Sequence, residues 1–114
     1  MTNEKKAAVV YIVASRLKNR VTAVYDYSRN KYCTFSDHSI GKNLNIYDQE
    51  RNSFIGGILP NAYDYASSSY INIVIRNNHF SGYDYETSKY FSGNVYDTLV
   101  SLYLDGRIYN YSIS

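Results

Sequence analysis

Residues 63–76 read Tyr63-Asp64-Tyr65-Ala66-Ser67-Ser68-Ser69-Tyr70-Ile71-Asn72-Ile73-Val74-Ile75-Arg76, and the two halves of this stretch obey different rules. From Tyr70 onward apolar and polar side chains alternate with a period of two. Ile71, Ile73 and Ile75 share one face and Asn72 and Arg76 the other, as in a half-buried β-strand. The first half is a Tyr-Asp doublet, five intervening residues and a second aromatic. Asp in such a position accepts a hydrogen bond from backbone two residues on, which favours a chain reversal. A turn feeding a strand is therefore predicted, with Tyr63 and Tyr70 flanking the turn on paired strands.

The signature recurs along the chain. Tyr-Asp occurs five times, at Tyr25-Asp26, Tyr47-Asp48, Tyr63-Asp64, Tyr83-Asp84 and Tyr96-Asp97. These use five of the seven Asp, where random placement would give about one. Seven residues after each Tyr stands another aromatic: Tyr32, Phe54, Tyr70, Tyr90 and Tyr103, with successive units starting 22, 16, 20 and 13 residues apart. In the first four units the intervening residues are polar, and Asn30, Asn52 or Ser88 stands where a left-handed residue is often needed before the chain returns. The fifth unit differs, because Thr98-Leu99-Val100-Ser101-Leu102 reads as a strand and its reversal is placed later, at Leu104-Asp105-Gly106-Arg107, where Asp-Gly suits a two-residue type I′ turn.

Working outward gives strands at about residues 7–14, 21–27, 31–36, 43–48, 53–58, 70–76, 79–84, 89–95, 98–104 and 107–113. The strand over 70–76 is expected to be central. Leu44 with Ile46, Cys33 with Phe35, Phe91 with Val95, and Val100 with Leu102 supply further inward pairs. The expectation is all-β: a single-domain antiparallel meander of about 8–10 strands, closed as a small barrel or folded as a two-sheet sandwich so that its edges are removed. Residues 1–6 are expected to form a flexible N-terminus and 7–114 the β-domain. Gly56-Gly57-Ile58-Leu59-Pro60-Asn61 is expected to be the corner between two halves.

Composition agrees with this class. The 114 residues include 15 Tyr, 14 Ser and 12 Asn but one Pro and no Trp. Tyr favours strands, while Ser and Asn favour turns over helix interiors. Twelve basic against ten acidic residues leave a net charge of +2, so neither a polyanion nor nucleic acid is implied as a partner. No apolar run approaches a bilayer span and mean hydropathy is −0.42, so no membrane partner is expected. The single Cys33 cannot close an intramolecular disulfide, which favours a reducing, cytoplasmic location. Lys5-Lys6 followed by Ala7-Ala8-Val9-Val10-Tyr11-Ile12-Val13-Ala14 imitates a short secretion signal, but the apolar stretch is brief and interrupted by Tyr11. It is read as a first buried strand, with a short helix running into Ser15–Lys18 as the alternative.

Catalytic and metal-binding constellations are scarce. His38 beside Asp37 and His79 after Asn77-Asn78 lie in polar turns, with no His-x-His or Cys-x-x-Cys spacing. Cys33 alternates inward beside Phe35, as a small apolar residue would. No dinucleotide fingerprint or Walker loop is present. No catalytic residue, metal ligand or cofactor is therefore assigned. The loop carboxylates Asp26, Asp48, Asp64 and Asp84 could pair for glycoside hydrolysis, but turn formation already accounts for their positions.

If the aliphatic residues point inward, Tyr32 with Thr34, Tyr70 with Asn72, and Tyr90 with Ser92 and Asn94 point outward. Tyr beside Ser and Asn is the composition of adaptable binding surfaces. The chain is accordingly read as a non-catalytic binding module, with Tyr32, Tyr70, Asn72, Tyr90 and Asn94 as ligand-binding residues and a carbohydrate or a protein as partner. A self-associating protein using the same face as a subunit contact is the alternative, and a small hydrolase employing His38, His79 or the loop Asp residues is a third. Gly82–Phe91 resembles the hairpin turns of quinoprotein-type propeller blades, and the spacing of aromatic hairpins resembles cell-wall-binding repeats. A propeller needs more strands than this length provides, and the wall-binding repeats rely on Trp, so neither family's activity is carried over. A helix through the middle of the molecule, or phenols packed at its centre, would remove the proposed surface.

Overall fold

The computed structural model describes residues 1–114. The chain forms α1 (Asn3–Leu17), β1 (Ala23–Asp26), β2 (Lys31–Asp37), β3 (Ile46–Asp48), β4 (Ser53–Ile58), β5 (Asn61–Asp64), β6 (Ser69–Arg76), β7 (His79–Asp84), β8 (Lys89–Tyr96), β9 (Leu99–Leu104) and β10 (Arg107–Ile113). Each strand pairs antiparallel with its sequence neighbour, and β1 pairs with β10, Tyr25 opposite Ser112, to close a ten-stranded barrel. The all-β meander is thus a barrel and not a sandwich. Closure leaves no sheet edge and no central strand, so β6 is one stave among ten.

Residues 7–14 are a correction. They are the heart of α1, not a strand, and residues 3–6, expected to be flexible, are its first turn. Thr2 caps the helix, its hydroxyl accepting from the Lys5 backbone N–H at 3.1 Å. Glu4 lies in the first turn, where the helix dipole favours a carboxylate. Ala7, Ala8 and Ala14 are strong helix formers that admit the bulkier Val and Ile between them. Every residue from Lys5 to Ala14 is buried, which only a helix enclosed on all sides achieves. Its N-terminal end bonds Ser69 and Asp84 on β6 and β7, and Arg16 near its C-terminal end pairs with Asp37 on β2. The helix therefore runs through the lumen.

The lumen fits its occupant. Fifteen residues make a helix about 22 Å long inside a molecule of 31 × 27 × 26 Å. Inward residues such as Ile46, Ile55, Ile71, Val100 and Leu102 join Ala7–Ala14 in one core cluster. Tyr11 stacks on Phe35 with ring centroids 4.3 Å apart. Phe80 faces Gly93 and Phe91 faces Gly82 across paired strands, and a Cβ at either glycine would run into those rings. Small residues thus make room for large ones where the strands meet. Lys6 is buried with its ammonium 3.4 Å from the Tyr109 ring centroid, a cation–π contact.

A helix through the middle was expected to abolish an outer tyrosine surface, and it does not. The helix supplies the inner layer that a second sheet would have supplied, so the strands keep one face dry and one wet. Only Tyr11 and Tyr111 among the tyrosines are fully buried. The expected corner at residues 56–61 is instead a tight hairpin through a cis Leu59-Pro60 bond, joining β4 to a strand that the alternation missed, β5. The fifth doublet also departs from expectation: Tyr96 ends β8, and Asp97 at φ 55° opens a two-residue turn of its own, in addition to the Asp105-Gly106 reversal.

Candidate functional site

Four Tyr-Asp doublets lie at one end of the barrel, where four-residue turns join β1–β2, β3–β4, β5–β6 and β7–β8. The fourth turn residue is left-handed in each: Asn30, Asn52, Ser68 and Ser88, with φ of 52–57°. Because side chains alternate, each Asp points into the barrel and each Tyr out. Asp26, Asp48 and Asp84 accept from the backbone N–H two residues on, at 3.0–3.2 Å. Asp64 accepts instead from the Ser67 hydroxyl at 2.7 Å.

Three cations neutralise these buried carboxylates. Lys5 donates to Asp84 at 2.7 Å and to Glu86 at 3.1 Å. Arg29 spans Asp26 at 2.6 Å and Glu50 at 2.7 Å. Arg51 reaches Asp48 through Nε at 2.7 Å and grips Asp64 with both terminal nitrogens at 2.8 Å. Burial alone would raise the Asp26 and Asp84 carboxyls, but bonds from Arg29 and Ser28, and from Lys5 and Thr87, hold both below the usual range. The network ties α1 to the turns, and none of its four Asp faces solvent.

Outside the same turns stand the aromatic clusters. Tyr25, Tyr63 and Tyr83 are half-buried, and each is met edge-on by two more exposed rings: Tyr27 and Tyr32, Tyr65 and Tyr70, Tyr85 and Tyr90. Centroid distances are 4.7–5.1 Å and interplanar angles 64–78° throughout. Tyr47 with Phe54 makes a fourth cluster of two, since Gln49 replaces the third ring. The central ring of each triad orients the other two, so the exposed phenols are held before any ligand arrives.

Concave surfaces adjoin the clusters, beside Tyr70 and Tyr85, beside Phe54 and Tyr65, and beside Tyr90 and Tyr103. Gly57, Ile58, Asn61, Ser69, Tyr70 and Tyr85 line an open groove of about 740 Å³. Gly57 sits at φ 86°, where a Cβ would come within 2.5 Å of the Asn61 carbonyl, and Tyr65 lies over Gly56. Tyr70 is 51% and Tyr85 57% exposed.

The residues singled out from the sequence are distributed around the barrel. Tyr32, Tyr70 and Tyr90 lie on β2, β6 and β8, one in each triad, and so do not form one patch. Tyr70 lines the groove, and Asn72 beside it donates to Asn61 Oδ1 at 3.4 Å. Asn94 is exposed and bonds the His79 ring at 3.0 Å. Tyr27, Tyr65 and Tyr85 were missed, although the tripeptide Tyr-Asp-Tyr at 25–27, 63–65 and 83–85 carries their signal.

The remaining reactive side chains are held apart from this surface. No group of three or more His, Cys, Asp or Glu is placed to hold a metal ion. Cys33 is buried, which pushes its thiol up to about 11, Glu50 and Asp26 adding to the rise and Arg29 opposing it. At the opposite mouth the Tyr11 hydroxyl meets the Val21 carbonyl at 3.2 Å and Asp37 at 3.3 Å, and burial raises its pKa. Comparison with family models, curated proteins and solved structures finds no match to this chain.

Proposed function

We propose that this chain is a non-catalytic recognition module that holds a glycan or a protein against the tyrosine-bearing exterior of its barrel. The supporting observation is the shared geometry of the three triads, each spending one half-buried ring to orient two exposed ones. Such rings offer rigid contact area at small conformational cost, and the outward Asn and Ser nearby offer hydrogen bonds. The interior supports the non-catalytic part of the reading, because its buried Asp side chains are engaged by Lys5, Arg29 and Arg51 beneath the turns. Those carboxylates hold the helix and the turns in place.

The test uses immobilised glycans and displayed peptides, probed in parallel with the native chain and with Tyr32→Ser/Tyr70→Ser/Tyr90→Ser. These rings are exposed, so the variant keeps the barrel and its cooperative melting transition. Specific binding lost in the variant supports the proposal, and binding that survives undiminished overturns it. Sedimentation of both proteins decides the competing reading. A dimer of the native chain that the variant converts to monomer assigns the rings to self-association.

A further inference from the structure

We infer that the groove between Tyr70 and Tyr85 is a subsite for a neutral saccharide. This rests on the recognition reading above and narrows it to one place and one ligand chemistry. Several observations converge. The groove is bounded by two tyrosines, 51% and 57% exposed, belonging to adjacent triads. Tyr63 fixes the Tyr70 ring edge-on at 4.8 Å, and Tyr83 fixes the Tyr85 ring at 4.8 Å. The walls therefore stand oriented without a ligand, which lowers the ordering cost of binding. The volume, about 740 Å³, lies in the range that small-molecule sites occupy.

The lining also selects by charge. None of the six lining residues is acidic or basic; Lys5, whose ammonium reaches the lining Ser69 at 3.1 Å, is buried and already held by Asp84, and Glu86, next in sequence to Tyr85, is engaged by the same ammonium. An ionic ligand would leave water without a counter-charge in return. A flat apolar ligand would leave the polar groups of the groove unpaired. In the lining, Asn61 accepts from Asn72 through Oδ1, which leaves its Nδ2 without a protein partner, and Asn72, on β6 beside the groove, keeps its own Oδ1 unpartnered. A pyranose meets both demands. Its C–H face lies on a tyrosine ring, and its hydroxyls exchange hydrogen bonds with an amide donor and an amide acceptor.

Two-dimensional NMR of the whole chain, titrated with neutral oligomers of β-linked glucose, β-linked N-acetylglucosamine and α-linked glucose, is the experiment. At least one series is expected to give saturable shifts centred on Gly57, Asn61, Tyr70 and Tyr85. Tyr70→Ala and Tyr85→Ala each weaken that binding about tenfold, Asn61→Ala weakens it several-fold, and Ile108→Ala, at an exposed position on β10 away from the groove, leaves it unchanged. Sugar shifts centred on a different triad overturn the groove assignment and leave the recognition module standing. So does the absence of any sugar shift when displayed peptides bind through the tyrosines. If neither sugars nor peptides engage any triad, both inferences fall. Binding that Tyr70→Ala and Tyr85→Ala do not affect also overturns the assignment.

Discussion

The two ends of the barrel are built from the same strands but reverse the chain by different chemistry. At the Tyr-Asp end, four-residue turns send four aspartates inward onto Lys5, Arg29 and Arg51 and raise aromatic clusters outside. At the other end, Leu59-Pro60, Asn77-Asn78 and Asp97-Thr98 reverse the chain in two residues, with Asn77 and Asp97 left-handed at φ 54° and 55°. There the principal tie to the helix is the Arg16–Asp37 pair with the Tyr11 hydroxyl. A two-residue turn completes a hairpin by backbone geometry alone. A longer turn headed by Asp also joins the hairpin to the lumen, so that at one end the turns themselves couple helix and aromatic exterior, while at the other the two-residue turns close only the ladder and the helix is tied through β2.

The largest expected effect comes from removing what both ends hold. Deleting residues 1–18 leaves an apolar lumen without its occupant. Val9, Val10, Tyr11, Ile12 and Val13 are all buried, and at about 1.5–3 kcal/mol per large side chain their burial rivals the 5–15 kcal/mol of an entire domain. Residues 19–114 alone should lack a cooperative melting transition by circular dichroism. A synthetic peptide of residues 1–18 should restore it, and an intact transition without the peptide would show that the barrel stands empty.

Breaking one tie at the Tyr-Asp end is the next test. Asp84→Ala leaves the Lys5 ammonium buried without its closest partner, and is expected to cost about 3–5 kcal/mol in denaturant unfolding. Replacing both, Lys5→Met with Asp84→Leu, should recover much of that loss. Equal losses for the single and double variants would place the cost elsewhere.

Acid should dismantle the same network carboxylate by carboxylate. The Asp26, Asp84 and Glu50 carboxyls are held below their ordinary values: burial alone would raise them, but bonds from Arg29, Lys5, Lys31, Ser28 and Thr87 outweigh it. A carboxyl depressed in the folded state contributes stability above its unfolded value, about 3.9–4.3, and loses it as pH falls through the folded value. Melting temperature should thus stay level from neutral pH to about 5 and fall below about 4. In the Lys5→Met/Asp84→Leu protein that acid limb should be shallower, and an unchanged limb would assign acid sensitivity to other groups.

The smallest effect distinguishes exterior from interior. Tyr90 is 79% exposed and touches Tyr83 across the strands, so Tyr90→Ala should cost about 0.2–1 kcal/mol. A loss of several kcal/mol would mean that the triads hold the barrel together and are not spare surface.

Most of the barrel was legible from residue order. The Tyr-Asp doublets located four turns, their left-handed positions at Asn30 and Asn52, and the opposed pairs Tyr25 with Tyr32 and Tyr63 with Tyr70. Alternation placed Ile71, Cys33, Leu44 and Val100 inside. Asn61–Asp64 escaped because Gly56, Gly57 and Pro60 read as a corner and β5 holds too few residues to show a period. The site was half legible. Tyr70 was read as part of an outward tyrosine face, but its neighbours in the candidate groove, Tyr85, Asn61 and Gly57, were not singled out, because a groove arises from neighbouring strands and has no sequence period.

Ala7–Ala14 marks the boundary between the two kinds of information. Period-two patterning and turn chemistry are local, and they determined by themselves nine of the ten strands, the four Tyr-Asp turns and the outward direction of Tyr32, Tyr70 and Tyr90. A run apolar on every side has no period to separate helix from strand. Its conformation was decided by the enclosure, since a ten-stranded barrel needs a filled lumen and a helix both fills it and satisfies its own backbone hydrogen bonds there.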